Sequence, residues 1–238
     1  MLKARLAFGV SLVVILGGTL LGRESSAIPA VPPSVSEIVE RMMAHNERQD
    51  RALMEFQMRR RFFAANTRFK LDSTIVVTTA FRQPDVMKSS IVSQEGSGLI
   101  KERVFDEILK SEAETHKKED KRQVDITPRN YDFRFVAQES CDDRPCYRLS
   151  ISPKRKDKYS LLGDAWIDAE DYAIVRLHGA PAKKPSFWTL KTEIDKRYRK
   201  VEGVWLTDRI DSTSDIFIAG HSTLSIEYAY LTVLTSLD

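Results

Sequence analysis

The sequence predicts a mainly β protein: a single curved antiparallel sheet, left unclosed as a half-barrel and covered by one or more helices. Alternating apolar and polar residues recur along most of the chain, the period-two signature of half-buried strands. Short turns separate these runs, so successive strands fold back as hairpins in a meander. Only two segments have helical spacing, too few to cover nine or so strands laid flat. A strongly curved sheet wrapping its helices resolves the shortage and leaves an apolar hollow where helix and sheet do not fully meet.

The first residues belong to a different kind of segment. Met1 to Arg5 is short and basic, Leu6 to Leu21 is almost wholly apolar, and Ser25-Ser26-Ala27 places small residues before a cut after Ala27. That is the layout of a secretory signal over residues 1–27, followed by a linker over 28–33 and one domain over 34–238. The apolar run is short for an uncleaved anchor, since crossing about 30 Å of hydrocarbon takes roughly 20 residues. No cysteine lies near the cut, which argues against a lipid-modified terminus. The expected location is the periplasm or another exported compartment. Removing Lys3, Arg5, Arg23 and Glu24 with the signal lowers the formal net charge from +3 to +1. A near-neutral domain gives no global argument for a nucleic-acid partner.

A helix opens the domain, with Ser34 or Ser36 as its cap and Ile38, Val39, Met42 and Met43 as its apolar stripe. It is expected to fade in the charged segment Glu47–Arg51. Strand then follows, with Met54, Phe56, Met58 and Phe62 opposite Glu55, Gln57, Arg59 and Arg61. Leu71–Phe81 and Val86–Gln94 continue the series across a turn at Gln83-Pro84-Asp85. Ile100–Glu114 is the second helical segment, carrying Val104, Phe105, Ile108 and Leu109 on one stripe, and it splits the strand series as a lid or plug. A charge run, His116–Arg122, reads as a solvated loop. From Tyr131 the chain is nearly all strand: Tyr131, Phe133, Phe135 and Ala137 on one face, then Tyr147–Ile151, Gly163–Asp168, Tyr172–His178, a long strand with Trp188, Leu190, Ile194 and Tyr198 aligned, Val204–Ser212, and Leu224–Tyr230.

Cys141 and Cys146 enclose Asp142-Asp143-Arg144-Pro145 between two strand runs. In an oxidising compartment this spacing reads as a disulfide across a hairpin tip. Signatures of catalysis are missing: no His-Glu-x-x-His, no Gly-x-Ser-x-Gly, no phosphate-binding Gly-x4-Gly-Lys-Ser/Thr. The four histidines stand apart without metal-ligand spacing. Asp164, Asp168 and Asp171 flank a hairpin turn, where aspartate is favoured for turn chemistry alone. The expectation is therefore no catalytic residue, no metal, no cofactor and no enzyme. Lys154-Arg155-Lys156-Asp157-Lys158 is the densest basic patch, either a solvated hairpin tip or a contact for anionic lipid headgroups. The residues expected to line the hollow are Val104, Phe105, Ile108 and Leu109 from the insertion, with Phe133, Phe135, Trp188 and Tyr228 from the sheet.

Tyr147-Arg-Leu-Ser-Ile-Ser-Pro-Lys154, Ala165-Trp-Ile-Asp168, Ala173-Ile-Val-Arg176 and Gly203-Val-Trp-Leu206 follow one another in an order that resembles the outer-membrane lipoprotein-sorting proteins of the LolA/LolB-like superfamily. The resemblance covers Tyr131–Val233 well and Ser34–Gln94 loosely. It implies an unclosed barrel covered by helices, with a cavity for lipid or lipoprotein acyl chains. The cysteine tip and Pro181–Pro185 depart from the carrier pattern, and Arg59, Arg60 and Arg61 compete for the place of the carriers' functional arginine. The function expected is an exported carrier or binder of acyl chains in lipoprotein sorting or lipid transport, with an envelope membrane protein as a further candidate partner. The alternative is a sensor or protein-interaction domain on the same fold without lipid cargo.

Overall fold

A computed structural model describes residues 33–84, 86–115, 125–156, 159–184 and 189–236. The signal segment, most of the linker, Trp188 and the charge run His116–Arg122 lie outside the described residues.

Helix α1 spans Val35–Ala52 and is capped by Ser34, whose hydroxyl accepts from the Glu37 amide at 3.2 Å. It does not fade at Glu47. Ala52 is buried at its last turn, and the Gln49 side chain is tied to the backbone of Trp205 by two hydrogen bonds, so tertiary contacts carry the charged turn.

Three strands follow, β1 (Leu53–Asn66), β2 (Leu71–Arg82) and β3 (Val86–Gly96). The helical insertion consists of α2 (Gly98–Ile100), a π-helical stretch over Lys101–Phe105 and α3 (Asp106–Thr115). Seven more strands complete the chain: β4 (Tyr131–Cys141), β5 (Arg144–Pro153), β6 (Leu161–Asp168), β7 (Ile174–Pro181), β8 (Thr189–Val201), β9 (Val204–Ile216) and β10 (Gly220–Thr235).

All ten form one antiparallel sheet in the order β3-β2-β1-β10-β9-β8-β7-β6-β5-β4. Two meanders, β1–β3 and β4–β10, are thus joined where β1 pairs with β10. The edges β3 and β4 do not pair with each other, so the sheet is open, as the sequence predicts. The insertion connects these two opposite edges.

One row of direct cross-strand partners shows which face is covered. From β3 to β4 it reads Gln94, Ile75, Phe62, Ile226, Ile210, Lys196, Leu177, Ala165, Leu149 and Phe135. Apart from Gln94 on the edge, the row is broken by one polar residue, Lys196. Two cores lie on this face, one to each side of it. Under α1, Ile38, Val39 and Met42 pack on Tyr147, Leu149, Ile151 and Ile167. Under the insertion, Phe105 packs on Phe62, Ile75, Val77 and Ile226. Each large apolar side chain so buried contributes about 1.5–3 kcal/mol, and together they hold the two helical covers apart. Gly163 pairs with Gly179, and a Cβ on Gly163 would come within 2.1 Å of the His178 carbonyl oxygen. The backbones approach here as a tight bend in the sheet requires.

Several strand pairs shift register, and the shift in β4 changes the face of a residue. A bulge at Val136 shifts the β4–β5 register, so Phe135 faces Leu149 while Ala137 faces Arg148. Ala137 therefore leaves the face of Tyr131, Phe133 and Phe135 on which simple alternation puts it.

Candidate functional site: a cleft between two cores

Where neither helical cover reaches, the sheet is left open around Lys196. A cleft of about 620 Å³ lies there, between α1 and strands β7–β9. Met43, Asn46 and Gln49 of α1 form one wall, and Leu177, Ile194 and Tyr198 of the sheet form the other. Ile126, Thr127 and Tyr159 border it at the end where β6 begins, and Trp205 at the opposite end. The Tyr131 hydroxyl accepts from the Leu161 amide at 3.1 Å, fixing two further residues of the wall. Met43 stands at the margin of the α1 stripe, and Ile194 and Tyr198 lie on the apolar face of β8. The sequence pattern therefore contains the walls, but not their meeting.

Two basic groups bear on the cleft. The Lys196 ammonium sits 4.9 Å from the centre of the Tyr198 ring, a cation–π distance. His45 lines the same space, and its Nε2 is buried without a hydrogen-bond partner. Burial holds its pKa below the ordinary value, against the pull of Gln49 and Asp171. Glu47, Asp50 and Asp125 line the same space, so the cleft sets one ammonium and a neutral imidazole beside acidic groups on otherwise mostly apolar walls. Among the described residues, no group of three or more His, Cys, Asp or Glu side chains is placed to share a metal ion.

The described residues among those expected to line one hollow fall into two separate places, and none of these lines this cleft. Val104, Phe105, Ile108, Leu109 and Tyr228 belong to the core beneath the insertion, where Phe105 has no exposed surface and meets Phe62 edge-on at 6.0 Å. Phe133 and Phe135 pack against the core beneath α1. Trp188 lies outside the described residues. Of the three competing arginines, Arg60 alone is buried on the covered face; it donates from Nη2 to the Thr79 hydroxyl at 3.2 Å and lies 5.1 Å from the Phe62 ring centre. Arg59 and Arg61 are exposed on the opposite face.

The cysteines call for a correction. Cys141 and Cys146 are free, not joined in the expected disulfide. In the hairpin register Cys141 pairs with Arg144 and Cys146 with Glu139, so they are diagonal neighbours rather than a cross-strand pair. Their thiols share a hydrogen bond, which lowers the pKa of Cys141 and, together with burial, raises that of Cys146.

The three aspartates of the β6–β7 hairpin do not act as paired carboxylates. Asp164 receives Arg148, Asp171 receives Lys200 and the Trp205 indole, and Asp168 caps the turn. Trp166 lies on the face away from α1, between the guanidinium groups of Arg148 at 5.2 Å and Arg176 at 4.9 Å. It is only 7 % exposed, so its position on the outer face does not leave it open to solvent. His178 and His221 stand on β7 and β10, with β8 and β9 between them. His221 is instead paired with Asp215 at 3.0 Å.

Fold and cleft together define an open, helix-covered β half-barrel with an apolar side cavity. No family model and no curated protein matches the chain. Among solved structures it is similar to a DUF1329 family protein from Desulfovibrio piger, at 13% identity over 85% of this chain and 93% of that one, with a TM-score of 0.45. It is also similar to a protein from Vibrio parahaemolyticus described as an outer membrane lipoprotein-sorting domain, at 11% identity over 86% and 94%, TM-score 0.44. A LolA superfamily protein from Nitrosomonas europaea gives 12% identity over 83% and 92%, TM-score 0.35. The likeness is one of fold alone.

Proposed function

We propose that this chain is an exported carrier or binder of acyl chains, and that the cleft between α1 and β7–β9 is where the chain is held. The observation that carries the reading is the cleft itself. Its volume of about 620 Å³ falls within the range of small-molecule sites. Its walls are mostly apolar, and Lys196 supplies a cation where a carboxylate or phosphate head would lie. Burying an acyl chain there yields about 0.8 kcal/mol per methylene. Export follows from the signal pattern of residues 1–27, and the exported protein is expected to begin at Ile28; retention of Met1 in a membrane fraction would replace export with anchoring.

The test is uptake of a fluorescent fatty acid by the purified protein. Wild type should bind it, Ile194→Glu should abolish binding by placing a charge in the wall, and Lys196→Met should weaken a fatty acid more than the corresponding alcohol. No uptake by the wild-type protein sinks the reading.

A second reading has one observation of its own. Strand β3 is an edge, and Val86, Ile91 and Val92 on it are 49 %, 44 % and 59 % exposed. Such an edge can receive an extended peptide as an added strand, which is how a sensor or interaction domain would use this sheet. Co-purification of an envelope protein, lost when Ile91 is changed to Lys, would favour it over acyl carriage.

A further inference from the structure

The two ends of the sheet differ in charge and in exposed apolar surface. At one end lie the β4–β5, β6–β7 and β8–β9 turns, which carry Asp142, Asp143, Glu170, Asp171 and Glu202. At the other lie the β1–β2, β5–β6, β7–β8 and β9–β10 connections. Here the charged residues among those described in the connections are basic: Arg68 and Lys70, then Lys154, which also pairs with Asp132 at 3.6 Å, Arg155 and Lys156. Lys183 and Lys184 follow β7 at the same end and are exposed.

This basic end also presents the most exposed aromatic side chains of the described residues. Phe217 is 65 % exposed, Ile218 55 % and Phe69 54 %. All three sit at hairpin tips, where a side chain projects beyond the sheet. They are not loose. The Asn66 side chain ties both tips together, accepting from the Phe69 amide at 2.9 Å and donating to the Ala219 carbonyl at 2.8 Å. The Thr67 amide adds a bond to the His221 carbonyl at 3.1 Å. Rigid apolar tips standing in a basic rim are exposed at a cost to solubility.

We propose that this end of the sheet docks on an anionic lipid surface, with Phe69, Phe217 and Ile218 entering the interface and the lysines and arginines meeting the headgroups. Charge complementarity and apolar insertion act together in such docking. The acidic far end points away from the surface. Tyr159 and Thr127, which border the cleft, lie at the docking end, so the cavity rim faces the bilayer. The inference stands on the tips and the charge of the rim, whatever the cleft holds.

The experiment is co-sedimentation of the mature protein with vesicles of phosphatidylcholine, alone or mixed with phosphatidylglycerol. Wild type should sediment with the mixed vesicles, weakly with the neutral ones, and be released by salt. The double change Phe217→Ser with Ile218→Ser should weaken binding at least about tenfold, and each of Lys154→Gln and Lys156→Gln about fivefold. These residues are exposed, so circular dichroism should be unchanged. Ile194→Glu, which tests the cleft, should sediment as wild type does. Equal binding to both vesicle types, no binding to either, or tip variants that bind like wild type would overturn the proposal. So would capture of the protein by heparin with no affinity for vesicles.

Discussion

The carboxylate of Asp168, which has no exposed surface, is gripped by the guanidinium of Arg144, whose Nε and Nη2 donate to its two oxygens at 2.5 and 3.0 Å. The same carboxylate accepts from the amides of Glu170 and Asp171 at 2.9 and 2.7 Å, closing the β6–β7 turn. Neighbouring carboxylates Glu170 and Asp171 add to the field around Arg144 and raise its pKa further. A buried carboxylate so fully satisfied is costly to remove, because its partners lose their acceptor.

Asp168→Ala is therefore expected to destabilise the protein by about 2–4 kcal/mol, measured by urea unfolding. Asp168→Asn keeps an oxygen for the turn amides and loses only the charge, so its cost should be clearly smaller. Equal losses for the two would mean that the turn bonds contribute nothing.

His45 gives the protein a defined acid response. Its pKa in the folded chain lies below 6.5, lowered by burial first, with Arg48 and Lys200 adding and Gln49 and Asp171 opposing. As pH falls, the unfolded chain takes up this proton before the folded one does. Stability from this group is thus complete above pH 6.5 and declines below it, until the folded-state pKa is passed. Thermal unfolding between pH 7 and pH 5 should show a steeper loss for wild type than for His45→Leu. Superimposable profiles would remove His45 from the account.

The sheet was readable in the sequence because alternation is a local property: Met58 and Phe62, or Leu149 and Ile151, announce a buried face without reference to any partner. What alternation does not contain is who lies beside whom. The pairing of β1 with β10 joins residues as distant in sequence as Phe62 and Ile226. It sends the insertion to the β1–β2–β10 half and leaves α1 the β4–β7 half. Val104, Phe105, Ile108 and Leu109 are thus inward-facing as their spacing predicts, yet they fill a core instead of lining a hollow. The cleft residues Ile194 and Tyr198 carry the same signal as any core residue. Only the gap between two covers distinguishes them, and Lys196 in an otherwise apolar row is the one local hint of it. The Val136 bulge was hidden for a similar reason, since a register shift depends on the strand opposite.

Cys141 and Cys146 should differ sharply towards an alkylating reagent. The thiolate is the reactive form. Cys141 is partly exposed with a lowered pKa, whereas Cys146 is buried with a raised one. Under reducing conditions and without denaturant, one equivalent should add quickly at Cys141, as read by peptide mass, and Cys146 should react only on unfolding. Faster labelling of Cys146 would contradict the hydrogen bond from which the difference arises.

The division of the covered face into a filled half and an open half can be tested by placing one charge in each. Ile108 packs against the core formed by Phe62, Ile75, Val77 and Phe105, so Ile108→Glu puts a carboxylate against apolar neighbours with no partner. The expected result is undocking of the insertion and a loss of stability, with Phe105→Ala costing about 3–5 kcal/mol for the same contact. Ile194 lines the cleft and is only half-buried. Ile194→Glu leaves its charge in the wall of a cleft that is open to water, so the unfolding midpoint should move little while uptake of a fluorescent fatty acid disappears. The insertion variants should still take up the probe under conditions where they remain folded, because the cleft lies between α1 and β7–β9. If Ile108→Glu abolishes uptake in protein shown by circular dichroism to be folded, and Ile194→Glu does not, the chain is held beneath the insertion and the cleft is not its site.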